Sequence, residues 1–496
     1  MKSVYKELIQ KEISVYTTHV KDFFDIPIGP HITLPPYQRP YVWNFEKIDQ
    51  LFQDWVEHFF EMIEGRFIFK EDAPLYYMGT TLFYKTVTPK EKYEIIDGQQ
   101  RITTLLILNH NVKESDSYLS RNHWNLTYNS KLSSANIKRN FTDFQKHKFF
   151  SLIKDNLDAI YQKLIFSVVI TNSQDDAFTF FDSQNSRGVS LDAVDFLKSY
   201  HLRELKGKES EQKIFVKQWD YSNADQFLNY LFEKSLWRAR NWKGKSLQFE
   251  NKDHILNAFQ KKTKKGDGKT IKLYANSNNQ FASSLSFTVE EGIKISVEPL
   301  YFQLSADKYP FGIRQPIEKG SGFFLYTEKY YSLYKRLFED QSISCVIDVM
   351  KELIKDYNLY FTQFFKLLVI VYNDKYKQER LLDFMLWVDF LLGAFRVKQA
   401  TIVAQTPIKI LRDQSQNLID VIEQSYDPDE IFDFLADYVV DGKPINDLYK
   451  QDAENYGSEN GIRNQYRKTV LTYYGKIDSE ELLTNKKEWI NGKLSK

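Results

Sequence analysis

Asp97-Gly98-Gln99-Gln100-Arg101, followed by Thr103 and Thr104, is the segment whose residue types and spacing best suit chemistry. The β-rich run Tyr93–Ile96 ends at Asp97-Gly98, and a helical pattern begins at once. A helix start presents backbone N–H groups without intrahelical acceptors and the positive end of the dipole, so it favours an anion. Gly98 permits a tight turn and close approach of a ligand to backbone. Arg101 offers a planar fork of donors suited to phosphate oxygens. Thr103 and Thr104 add hydroxyls, and Asp97 could hold a metal ion or a water. A capped strand-to-helix turn with a structurally paired arginine accounts for the same residues equally well.

Two further segments carry unusual polar content. In Leu34-Pro35-Pro36-Tyr37-Gln38-Arg39-Pro40-Tyr41-Val42-Trp43, three prolines force an extended path. Tyr37, Arg39, Tyr41 and Trp43 project from it, an arrangement suited to stacking on a base or clamping a phosphate. The alternative is an extended edge packed on the next helix. Phe180–Asp192 reads as a helix, a polar turn containing Gln184, Asn185, Ser186, Arg187 and Gly188, and a helix capped by Ser190. Plain helix–helix linkage also explains it.

The elements that must position these groups follow from periodicity. Asn44 caps an amphipathic helix to Phe60, with Ile48, Phe52, Trp55 and Phe59 on its apolar face. Tyr76–Tyr84 and Tyr93–Ile96 read as a hairpin, Ile102–Leu108 as a buried helix, and Leu164–Ile170 as a buried strand. Residues 110–138 read as a polar, irregular insertion. Beyond Leu191 helices dominate, and residues 321–440 hold long aromatic-aliphatic helical patterns of a bundle. Asp427-Pro428 marks one helix start.

Composition excludes several function classes. The 496 residues suit two or three domains. Lys plus Arg (67) balance Asp plus Glu (66), so nucleic-acid binding requires a local patch. Lys234–Lys245, with five basic residues and two tryptophans, is the candidate; a solvated helix face is the favoured reading of it. The single cysteine, Cys345, excludes disulfide frameworks and cysteine-based metal centres and reads as a core thiol. No apolar run approaches membrane-spanning length and the first residues resemble no leader, so a cytoplasmic protein is expected. Thr263–Thr270 ends like a phosphate-binding loop but lacks its first glycine and its strand-to-helix context.

Taken in order, PPYQRPYVW, YYMGTTLFY, IIDGQQRITTL and FFDSQNSRGVSLDAVDFLKSY resemble the ParB-like domain at the N-terminus of GmrSD and SspE restriction proteins, the family catalogued as domain of unknown function 262. The resemblance spans roughly residues 15–205 and implies an α+β chain. A ParB/sulfiredoxin-like nucleotide-binding domain (15–205) would precede a linking region with basic loops (206–320) and a mostly α-helical domain (321–496). It also implies a site for a nucleoside triphosphate (GTP, CTP, UTP or ATP) with Mg²⁺. Asp97, Gln100 and Arg101 would carry hydrolysis, with Asp97 at the metal. Tyr37, Gln38, Arg39, Gly98, Gln99, Thr103, Thr104, Asn185 and Arg187 would hold the nucleotide.

Relatives of full length carry an HNH nuclease domain, which needs a histidine base. The eight histidines here are His19, His31, His58, His110, His123, His147, His201 and His254, and none follows His254. The leading expectation is therefore a nucleotide-dependent sensor or regulator of an antiphage or restriction system. It would work with a separate nuclease or effector chain, with DNA as a further partner, no membrane, and oligomers allowed. A non-catalytic DNA-binding adaptor is the alternative, and a self-contained nuclease the third.

Overall fold

The computed structural model describes residues 13–24, 31–35, 38, 40–86, 91–112, 124, 126–128, 130–173, 176–177, 192–205, 208–223, 226–266, 284–288, 292–296, 306–399, 401–451, 461–476 and 482–494. The chain divides into two compact units, Met1–Leu191 and Asp192–Lys496.

In the first unit, β1 (Ile13–His19), α1 (Val20–Phe23) and β2 (Ile32–Thr33) lead to α2 (Phe45–Phe59). Next come β3 (Phe60–Ile63), β4 (Arg66–Phe69), β5 (Tyr76–Thr86), β6 (Lys92–Asp97) and α3 (Gln99–Val112). Then follow α4 (Lys131–Lys146), α5 (Phe150–Asp155), α6 (Leu157–Lys163) and β7 (Leu164–Thr171). Five strands form a mixed sheet in the order β1-β7-β5-β6-β2. The β1/β7 and β5/β6 pairs are antiparallel, and β5/β7 and β2/β6 are parallel. Period-two alternation along β7 buries Leu164, Phe166, Val168 and Ile170 on one face. Phe23, Phe83 and Trp124 gather near Phe166, with Phe23 5.1 Å from it by ring centroids. Asn44 caps α2 as its sequence predicts, accepting from the Lys47 amide at 3.2 Å. The buried face of α2 carries Ile48, Phe52, Trp55, Val56 and Phe59, each worth roughly 1.5–3 kcal/mol of burial.

The expected insertion at residues 110–138 is corrected in part. Helix α4 begins at Lys131, and its inward stripe is polar: Ser133, Asn136 and Asn140, with Phe144 closing it. Apolar periodicity is blind to a helix whose buried positions are amides and hydroxyls. The helix expected at Asp175–Asp182 lies outside the described residues except for 176–177.

The second unit begins with α7 (Ala193–Arg203) and α8 (Glu209–Ser222). A helical run over 227–241 follows, with Phe232 and Trp237 buried, as is Trp219 in α8. The stretch expected as a linking region thus supplies core aromatics. Its long helices include α9 (Ser321–Phe338), α10 (Leu359–Tyr376) and α11 (Leu381–Lys398), and a shorter α12 (Lys486–Leu494) follows. Helix α11 is buried from Phe384 through Val397. This combination of mixed sheet and helices, then helices almost throughout, is the α+β organisation that the sequence predicts. Cys345 is half-buried rather than a core thiol.

Candidate functional site

Strand β6 delivers Asp97 to the first turn of α3, with Gly98 between them at φ +94°. A Cβ at Gly98 would lie 2.7 Å from Thr81 Cγ2, so the turn is close-packed on β5 as well as left-handed. The helix closes through the Ile102 amide on the Gly98 carbonyl at 2.9 Å.

Arg101 turns back across β5. Its Nη1 donates to the Met78 carbonyl at 3.1 Å, and its Nη2 to the Thr80 carbonyl at 2.5 Å and to Asp97 Oδ2 at 3.2 Å. These carbonyls flank Gly79, where the pairing of β5 with β7 shifts register. Gly79 has φ +102°, and a Cβ there would fall 1.9 Å from Nη1. The guanidinium therefore fills the dent that the irregular strand creates.

The two flanking glutamines act on backbone. Gln38 Nε2 donates to the Ile95 and Ile96 carbonyls of β6 at 2.8 and 2.6 Å. It takes over where β2, whose pairing ends at Thr33 and Glu94, leaves off. Gln100 Oε1 accepts from the Val42 and Trp43 amides at 2.9 and 3.3 Å, and its Nε2 donates to the Pro40 carbonyl at 3.0 Å. Thr104 Oγ1 pairs with Tyr41 Oη at 2.8 Å, and Thr103 Oγ1 with Tyr128 Oη at 2.6 Å. Burial raises the pKa of Tyr41, and that of Tyr128 to about 12, so both phenols stay protonated. From the other side α4 reads the same extended segment. Ser133 Oγ accepts from the Tyr41 amide, Asn136 donates to the Tyr41 carbonyl, and Asn140 to Tyr41 Oη and the Trp43 carbonyl, all at 2.8–2.9 Å.

What the turn leaves open is narrower than its composition suggests. One Asp97 oxygen faces Arg101, and the side chain is a quarter exposed. Gln99 Oε1 and Thr81 Oγ1 are buried without a partner among the described residues. Orphaned buried polar groups of this kind are costly unless something satisfies them. With the first-turn amides, they are the groups available to a ligand.

Residues 20–202 match the family described as GmrSD restriction endonuclease, N-terminal domain. That stretch is similar to a GmrSD-type N-terminal domain. Residues 211–451 match a family of unknown function, DUF7834. No curated protein matches the chain.

Within residues 20–202, the structure brings Gln38, Asp97, Gly98, Gln99, Gln100, Arg101, Thr103 and Thr104 to one strand end and helix start. Tyr37, Arg39, Asn185, Arg187, Gly188 and Ser190 lie outside the described residues. Sequence reading missed Gly79, Thr81, Ser133, Asn136 and Asn140. The spacing of 133, 136 and 140, which share one helical face, is the signal in the sequence for the last three.

The rival patches are internally engaged. Arg238 and Lys234 both pair with Glu250, and Arg240 Nη1 donates to the Ile313 and Gln315 carbonyls. His254 stacks on Trp237 at 5.7 Å and bonds the Phe249 carbonyl. No helix among the described residues is long and apolar enough to cross a membrane.

Proposed function

We propose that this chain is a component of a bacterial restriction or antiphage system whose GmrSD domain binds, and slowly hydrolyses, a nucleoside triphosphate. The observation that carries the reading is the Asp97–Gln99 junction. There a carboxylate and a helix N-terminus adjoin, and Gln99 and Thr81 each keep an unpartnered buried oxygen. The first-turn amides would take phosphate oxygens. Arg101 acts through Asp97 and β5, holding the carboxylate in place, which makes it a positioning residue.

Among the described residues no three metal-binding side chains cluster. Mg²⁺ carried by a triphosphate needs only one or two carboxylates beside phosphate and water oxygens, so Asp97 alone fits it. Bound there, the ion would neutralise charge developing on the phosphoryl oxygens. Asp97 would then hold Mg²⁺ or orient the attacking water. DNA cleavage, on this reading, belongs to a nuclease site outside residues 255–496, which hold no histidine base.

The non-catalytic adaptor is the second reading. It is favoured by the engagement of Gln38, Gln100 and Arg101 with backbone carbonyls and amides. Calorimetry and phosphate release with ATP, GTP, CTP and UTP, with and without DNA, separate the two. Mg²⁺-dependent release supports hydrolysis, binding without turnover supports the adaptor, and no binding of any triphosphate overturns both.

A further inference from the structure

Tyr77 and Thr80 lie three residues apart on β5, a spacing that in a regular strand puts side chains on opposite faces. Here Tyr77 Oη and Thr80 Oγ1 meet at 3.0 Å, so the two share a face. The cause is the register shift of β5 against β7 between Tyr77 and Thr80, where Gly79 takes φ +102°. Tyr76 and Met78 pack with the core before the shift, and Phe83 does after it. Tyr77, Thr80 and Leu82 therefore point the other way. Bulges re-aim side chains in this manner, often beside active sites.

The face that Tyr77 joins is the one that carries Asp97. Leu82 is the cross-strand partner of Asp97, so its side chain and that of Thr80 leave the sheet on the side of the Asp97 carboxylate. With 3.4 Å per residue along β5 and 4.8 Å between strands, Thr80 stands about 8 Å from Asp97. Arg101 spans that gap, since its Nη2 donates to both the Thr80 carbonyl and Asp97 Oδ2. The dent that lodges the guanidinium is thus the irregularity that turns Tyr77 towards the candidate phosphate site.

Tyr77 is 55% exposed, and its ring makes no aromatic or cation–π contact among the described residues. The two other phenols at this strand end are committed, Tyr41 to Thr104 and Tyr128 to Thr103. A ring held at its hydroxyl, with its face open to solvent, is a stacking platform. We propose that Tyr77 stacks on the base of the nucleotide whose phosphates meet the first turn of α3. This rests on the nucleotide reading above and adds to it the group that holds the base. Every base has a π-face, so Tyr77 favours nucleotides over bare phosphate without choosing among bases.

Calorimetry on the full chain, Tyr77→Ala and Tyr77→Trp compares ATP, GTP, CTP and UTP with inorganic tripolyphosphate, all with Mg²⁺. Melting curves establish that the variants are folded. The natural protein should bind the nucleotides more tightly than tripolyphosphate. Tyr77→Ala should lose about tenfold for every nucleotide and keep its tripolyphosphate affinity, and Tyr77→Trp should restore nucleotide binding. Equal affinity of the natural protein for nucleotides and tripolyphosphate overturns the role of Tyr77. So does a Tyr77→Ala that binds nucleotides normally, or one that loses tripolyphosphate to the same extent. In these cases the phosphate site at α3 stands. Failure of the natural protein to bind any of the five ligands overturns both.

Discussion

Arg101 and Gly79 are one structural unit, since the guanidinium occupies the space that a side chain at Gly79 would need. Removing either should release the same hydrogen bonds to the Met78 and Thr80 carbonyls. Gly79→Ala and Arg101→Ala are each expected to destabilise by about 2 kcal/mol, and the double variant by much less than the sum. Urea unfolding of the four proteins measures the coupling; additive costs would contradict it. Asp97→Asn tests the other half of the contact. The amide oxygen still accepts from Arg101, so nucleotide affinity should hold. Turnover should fall about a hundredfold if the carboxylate serves Mg²⁺ or the water. Calorimetry beside phosphate release measures both, and equal losses in the two would assign Asp97 to binding.

The element that matters most to the site has no regular structure of its own. Pro40–Trp43 is held from one side by Gln100 on α3 and from the other by Ser133, Asn136 and Asn140 on α4. Its amides bond to side chains, so their protection depends on those side chains. In Gln100→Ala the Val42 amide should exchange with solvent at least about tenfold faster, while amides deeper in α3 keep their protection. Hydrogen exchange with residue resolution decides this. Equal acceleration along α3 would mean that Gln100 supports the helix instead. Asn140→Ala leaves the Trp43 carbonyl and Tyr41 hydroxyl short of a donor and should cost about 1–3 kcal/mol.

Across the second unit, buried titratable groups set the response to pH. His201 Nε2 faces the Phe259 carbonyl at 2.9 Å and its Nδ1 faces the Gly320 amide at 3.2 Å. A carbonyl only accepts and an amide only donates, so the proton sits on Nε2. Burial, the largest influence, lowers the His201 pKa to about 3. The unfolded chain takes a proton near pH 6.5 that the folded unit refuses, so stability is lost as pH falls from about 6.5 towards 3. The slope is about 1.4 kcal/mol per pH unit. Comparing melting at pH 7 and 5, His201→Gln should show a smaller drop than the natural protein; an equal drop would exclude His201 as the cause. Lys486 on α12 pairs with Asp389 on α11 at 2.5 Å, both fully buried, and Tyr357 and Tyr466 bond the other carboxylate oxygen at 2.7 and 3.0 Å. Lys486→Ala strands that carboxylate and should cost about 3–5 kcal/mol by denaturant unfolding.

Local signals in the sequence determined much of this protein. Asn44 and Asp427 were legible as caps because capping is a matter of neighbours: their side chains accept from Lys47 and Asp429. The β5–β6 hairpin and the start of α3 at Asp97-Gly98 were legible for the same reason, and the order of the motif blocks carried the resemblance to GmrSD N-terminal domains. The roles of the motif side chains were decided by tertiary structure. Gln100 lies 57–60 residues from the backbone it binds, and Arg101 lies 21–23 from the carbonyls it occupies. A forked donor suits phosphate oxygens and peptide carbonyls equally, so residue type could not separate the two. Only the dent at Gly79 did, because it placed the Met78 and Thr80 carbonyls within reach of the guanidinium.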